Sequence, residues 1–165
     1  MTNLKSKLLD MDACPDAVKW VGRRGPKTAW RDCKRGDWML WAAARLGVDR
    51  KLLVLTACDC AEIALKYVPE GEDRPAKAIA TARAWCEGDA TIEDCQKAAY
   101  AADAAAYAAN AAADAVSAVS AAYAAYAAAY AADAAADSAA YAANAHLVRA
   151  RIPYEVIAKA LEAKP

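Results

Sequence analysis

The chain has 165 residues, no net charge and no Phe, against five Trp and eight Tyr, with a mean hydropathy of +0.00. That length suits one domain with a moderate core, and the absence of a long apolar run argues against a membrane span or a secretory leader, so a cytoplasmic protein is expected. Charge is unevenly placed: Met1 to Lys51 carries twelve Lys/Arg against six Asp/Glu, while Ala98 to Leu147 carries four Asp and no Lys or Arg. The two stretches either complement each other within the molecule or mark an anion-binding surface on the basic one.

In chain order, the first ninety residues read as short helices with clear punctuation. Pro15 opens one as its first helical residue and Gly22 ends it; Pro26 opens the next, which runs through Trp30 to Cys33. Asp37 stands where the N-cap of a third helix belongs, and that helix places Trp38, Trp41 and Arg45 on one face. Those three form either an aromatic and cationic ligand wall or a core ridge with the arginine stem laid along it. Asp49 caps a largely apolar helix expected to reach Val68, with Asp59, Glu62 and Lys66 as its polar stripe and Glu62 to Lys66 at ion-pair spacing. Asp73 and Pro75 open a further helix carrying Arg74 and Arg83, which Gly88 closes.

Thr91, Glu93 and Asp94 then start the alanine tract. From Ala98 to His146, 31 of 49 residues are Ala, with no Gly or Pro, and alanine loses no side-chain entropy in a helix. Tyr100, Asp103, Tyr107, Asn110, Asp114 and Ser117 fall in one helical stripe; Tyr123, Tyr126, Tyr130, Asp133, Asp137, Tyr141 and Asn144 fall in a second, about 150° around from the first. One unbroken helix would be about 75 Å long, far beyond the ~15 Å radius of gyration of a compact chain of this length. The phase slip near Ser117 to Ser120 therefore points to an antiparallel hairpin over residues 91–149, the alternative being one long helix shared with a second copy. Residues 150–165 read as a docking helix. The expected fold is all-α: a compact helical head, residues 1–90, packed on an Ala-rich helical hairpin, the whole forming one domain.

Six cysteines on predicted helices read as reduced, small apolar residues. Cys58 and Cys60 lie about 200° apart on a helix and are poorly placed to share a metal, so no metal, disulfide or cofactor is expected. The lone His146 has no nucleophile or phosphate loop beside it, so no catalytic residue is assigned. Tyrosine is a poor choice for merely solubilising a helix. Tyr100, Tyr107, Tyr123, Tyr126, Tyr130 and Tyr141 are therefore candidate stacking surfaces for an anionic, ring-containing ligand, with Arg74 and Arg83 to meet its charge and Trp38 and Trp41 as a second aromatic wall. Sequence-specific DNA binding is not expected, because no helix-turn-helix or zinc signature accompanies the basic stretch.

The run Cys14-Pro-Asp-Ala-Val-Lys-Trp-Val, then Gly36-Asp-Trp-Met-Leu-Trp, Ala57-Cys-Asp-Cys-Ala-Glu, Glu72-Asp-Arg-Pro-Ala-Lys-Ala-Ile and Ala82-Arg-Ala-Trp, followed by an Ala/Tyr/Asp tract, resembles alanine-rich proteins of tailed bacteriophages. Residues 57–85 with the tract also resemble the immunity protein domain of bacterial toxin loci. The resemblance implies a small phage or prophage protein acting inside a bacterial host cell. Its first expected role is non-enzymatic sequestration of a toxin or defence component, including a small nucleotide signal. The alternatives are an immunity protein bound to a toxin protein, a small enzyme, or a structural phage component.

Overall fold

A computed structural model describes residues 4–68, 70–102, 104 and 144–163. All regular structure among the described residues is helical, in agreement with the all-α expectation. Residues 105–143 lie outside the described residues, and with them the choice between a hairpin and a single long helix. The chain divides into two compact units, Met1–Thr56 with Tyr141–Pro165, and Ala57–Ala140. The first carries sixteen Lys/Arg against eight Asp/Glu, a net +8; the second carries five against thirteen, a net −8.

In the first unit, α1 (Leu4–Asp10) turns Leu8 inward, and α2 (Pro15–Val21) adds Val18 and Val21. With Ala29 of α3 (Pro26–Asp32) these form a small apolar core, against which Leu4, Met11, Trp20 and Trp41 pack. α1 ends on Asp12 at φ 62°, a left-handed position that Asp tolerates, where the Asp12 and Ala13 amides return to the Leu9 and Leu8 carbonyls at 3.0 and 2.9 Å. Two prolines fall where the first-turn amide needs no partner, opening α2 and α3 as expected. α4 spans Gly36–Arg45, so Asp37 lies inside the first turn and not at the N-cap, where Arg35 stands. Asp37 instead accepts two hydrogen bonds from the Arg35 guanidinium, at 2.8 and 2.6 Å.

The C-terminal helices complete this unit. The helix α8, described over residues 144–151, buries Ala145 and Val148; after a bend at Ile152, α9 (Tyr154–Ala163) buries Ile157. Trp30 Nε1–H donates to the Ile152 carbonyl at 3.2 Å, and Lys7 Nζ donates to the Leu161 carbonyl at 2.9 Å. Ile152 and Val148 are fully buried, so this segment contributes to the core of the first unit.

α5 (Arg50–Glu62) is capped by Asp49, whose Oδ1 accepts from the Leu52 amide at 2.9 Å. It stops six residues short of Val68, and Ile63–Tyr67 continues as a 3-10 turn. In the second unit, α6 (Arg74–Glu87) ends on Gly88 at φ 97°, with the Gly88 and Asp89 amides bonded back to Trp85 and Ala84 carbonyls. Asp73 is its N-cap by position, but its side chain makes no cap bond; Glu72 accepts from the Arg74 amide at 3.0 Å in its place. Thr91 and Asp94 form a reciprocal capping box at the start of α7, which is described over residues 92–102.

Candidate binding site

The first unit contains a half-enclosed cavity of about 490 Å³ between α1 to α4 and α9. Its walls are indoles: Trp20 from α2, Trp30 from α3, and Trp38 and Trp41 from α4. Leu8, Val21, Met39 and Ile157 are buried at its floor, while Trp20, Trp38 and Trp41 are half-buried at its sides. The arrangement follows from spacing. Trp38 and Trp41 are one turn apart on α4, and Trp20 meets Trp38 edge to face with ring centroids 6.3 Å apart.

Each of the three half-buried indoles carries a guanidinium on its face. Arg24 lies 4.8 Å from the Trp20 ring centroid, Arg35 4.6 Å from Trp38, and Arg45 5.6 Å from Trp41. Arg24 also donates to the Trp20 carbonyl, which ties it to the end of α2. Two carboxylates, Asp12 and Asp37, line the same opening. The Arg35 guanidinium holds Asp37 below the usual carboxylate range, chiefly through its hydrogen bonds, so Asp37 is charged and already matched. What the site can do is desolvate large apolar groups while its arginines remain at the water boundary.

The polar groups of the second unit are engaged with one another. Arg83 donates to Asp59 at 2.8 Å and to Glu62, whose nearest oxygen lies 2.9 Å away, joining α6 to the end of α5. Glu62 thus has a tertiary partner that the sequence did not reveal. Arg74 is paired with Glu72 through two guanidinium bonds, and this pairing holds the Glu72 carboxyl down to about 2. A second opening, also about 490 Å³, is lined by Arg74, Lys77, Thr81, Asp94 and Lys97.

Of the candidate ligand residues, Trp38 and Trp41 come together in the cavity. Arg74 reaches the second opening, Arg83 is held by its carboxylates, and Tyr100 is 74% exposed and lines neither opening. Tyr107, Tyr123, Tyr126, Tyr130 and Tyr141 lie outside the described residues. Trp20 and Trp30 were missed as wall residues; the i, i+4 spacing of Trp20 to Arg24, shared by Trp41 and Arg45, was the available signal. Cys33, Cys58 and Cys86 are buried, Cys60 and Cys95 are half-buried, and Cys14 is exposed just before α2. Burial pushes the Cys33 and Cys58 thiols up, away from the reactive thiolate form. Among the described residues no helix is long and apolar enough to cross a membrane, and no His/Cys/Asp/Glu group has the makings of a metal site.

No curated protein and no solved structure matches the chain. A family model described as Imm-5 like putative immunity protein matches residues 47–163, which begin just after α4 and take in α5, all of the second unit, and α8 and α9. Because that span is well over half of the chain, the protein belongs to this Imm-5 like family.

Proposed function

We propose that this chain is an immunity protein, which neutralises a bacterial toxin protein by binding it and performs no chemistry of its own. The observation that carries the reading is family membership across residues 47–163. The engagement of the second unit's arginines supports it over nucleotide capture. A phosphate would have to displace Glu72 from Arg74, or Asp59 and Glu62 from Arg83, before either guanidinium could serve it. The likeness to phage proteins extends the proposal to a gene carried by a bacteriophage and used inside its host. Nucleotide sequestration keeps one favouring observation, the opening where Lys77 and Lys97 join Arg74 beside a single carboxylate, Asp94.

The test is co-expression of this chain with each of a panel of bacterial toxins, scored as colony formation. Full protection from one of them, with a complex recovered from the same cells, is expected. Growth arrest with every toxin despite soluble expression of both proteins, together with binding of a cyclic or linear nucleotide from a panel, would replace this reading with the small-signal one.

A further inference from the structure

Protein interiors hold few voids larger than a water molecule, and apolar surface hydrates poorly, so a half-enclosed cavity of about 490 Å³ walled by four indoles leaves many ring and alkyl groups without packing partners. The polar atoms deep in its lining are already engaged. Trp30 Nε1–H donates to the Ile152 carbonyl at 3.2 Å, and the Cys33 thiol donates to the Arg35 carbonyl at 3.5 Å. Burial also keeps that thiol in its neutral form. An occupant of the floor therefore needs no hydrogen-bonding group of its own. Charge narrows the choice further. The charged residues that line the cavity are two carboxylates, Asp12 and Asp37, and an anion seated there would lie against them with no lining cation to offset the repulsion. A cation gains little in its turn. Asp37 is matched by the Arg35 guanidinium at 2.8 and 2.6 Å, Asp12 is exposed to water, and the Trp20, Trp38 and Trp41 rings each already carry a guanidinium, so a second cation on the same ring would face like charge across it.

We propose that the Trp20/Trp30/Trp38/Trp41 cavity is a binding site for an uncharged, ring-containing small molecule, held by ring packing and burial and not by charge. The volume is in the size range of small-molecule sites. Planar rings pack offset or edge-on against indoles, and Trp20 and Trp38, edge to face with centroids 6.3 Å apart, form a wall of that geometry. Met11 and Met39, unbranched and polarisable, let the lining adapt to the outline of a ring. A protein segment fits less well, because backbone amides that followed its side chains into the opening would find lining groups that are apolar or already paired. The walls come from both ends of the chain, α1 to α4 and α9, so an occupant bridges them and stabilises the unit by mass action. The assignment does not rest on the immunity reading, which concerns a protein partner.

Three probes that share one ring system separate the charge classes: naphthol is uncharged at neutral pH, naphthoate is an anion and naphthylmethylammonium a cation. Binding is read by equilibrium dialysis and by melting temperature. Naphthol is expected to saturate one site per chain in the micromolar range and to raise the melting temperature, with both charged analogues at least about tenfold weaker. Added salt should not weaken naphthol binding. Ala42→Phe on α4 and Leu161→Trp on α9 each put bulk into the cavity and should lower naphthol affinity by at least about tenfold. Ala44→Phe, at an exposed position of α4 outside the lining, should leave it unchanged. The two filling variants stand on different helices, so either one that still melts cooperatively carries this arm, and the charge comparison needs only the wild type. A charged analogue that binds as tightly as naphthol overturns the proposal, as does undiminished naphthol binding in a folded filling variant. Absence of naphthol binding up to its solubility limit also overturns it, and binding of a neutral Trp-bearing peptide in its place would assign the cavity to a protein side chain. Toxin neutralisation is read separately by the co-expression assay, so either reading can fail while the other stands.

Discussion

A methyl group added at Gly36 would sit 2.7 Å from Asn144 Cβ and 2.8 Å from the Ala145 amide nitrogen, closer than packed Cβ atoms come. The missing side chain lets the start of α4 press directly on the backbone of α8 at Asn144 and Ala145. Gly36→Ala should therefore cost about 1–3 kcal/mol, read as a lower urea midpoint at unchanged slope, although alanine is the better helix former. An unchanged midpoint would mean that the two backbones are not in contact. At Glu72 the prediction concerns pH. Arg74 favours the charged carboxylate and lowers its folded value from 4.5 to about 2, so the contribution is complete above the ordinary value and disappears as acid protonates the folded state. The stability gap between wild type and Glu72→Gln should be present at neutral pH and close between about pH 4.5 and 2, remaining small and salt-sensitive because the pair is in water. A gap that persists unchanged to pH 2 would contradict this account.

At the scale of elements, Arg149 of α8 finishes α3. Its guanidinium donates to the Cys33 carbonyl at 2.7 Å, supplies a second contact to Trp30 at 3.5 Å, and so satisfies carbonyls that a seven-residue helix leaves open at its C-terminal end. Arg149→Met keeps the apolar stem and removes the donors, and should lower stability by about 1–3 kcal/mol in a denaturant melt. Retained stability would show that water replaces the guanidinium freely. Such contacts explain which parts of the fold were readable in the sequence. Pro15, Pro26, Asp49, Gly88 and the Thr91/Asp94 pair act through local backbone geometry, so each could be assigned from its near neighbours. Arg149 to Cys33 and Trp30 to Ile152 join residues more than a hundred positions apart, and no periodicity carries that information. Glu62 illustrates the competition between the two: its i, i+4 neighbour suggested a local ion pair, while α6 supplies Arg83 to both Asp59 and Glu62. The α4 indole face was legible as a face, but that it borders a cavity depends on Trp20, Trp30 and α9 arriving from elsewhere.

At the scale of the whole molecule, a chain with zero net charge is made of one unit at +8 and another at −8. Electrostatic attraction of an acidic partner to the first unit would quicken association and would be screened by salt. A binder of this kind is consumed as it acts. The most direct measurement is a titration of the activity of a toxin against which this protein protects cells, with increasing amounts of the protein, at concentrations well above their dissociation constant. The account predicts a linear loss of toxin activity ending at a fixed stoichiometric ratio, with activity restored when the complex is dissociated. Abolition of toxin activity by a small substoichiometric amount would reveal turnover, and an undiminished activity in excess protein would remove the toxin as its partner.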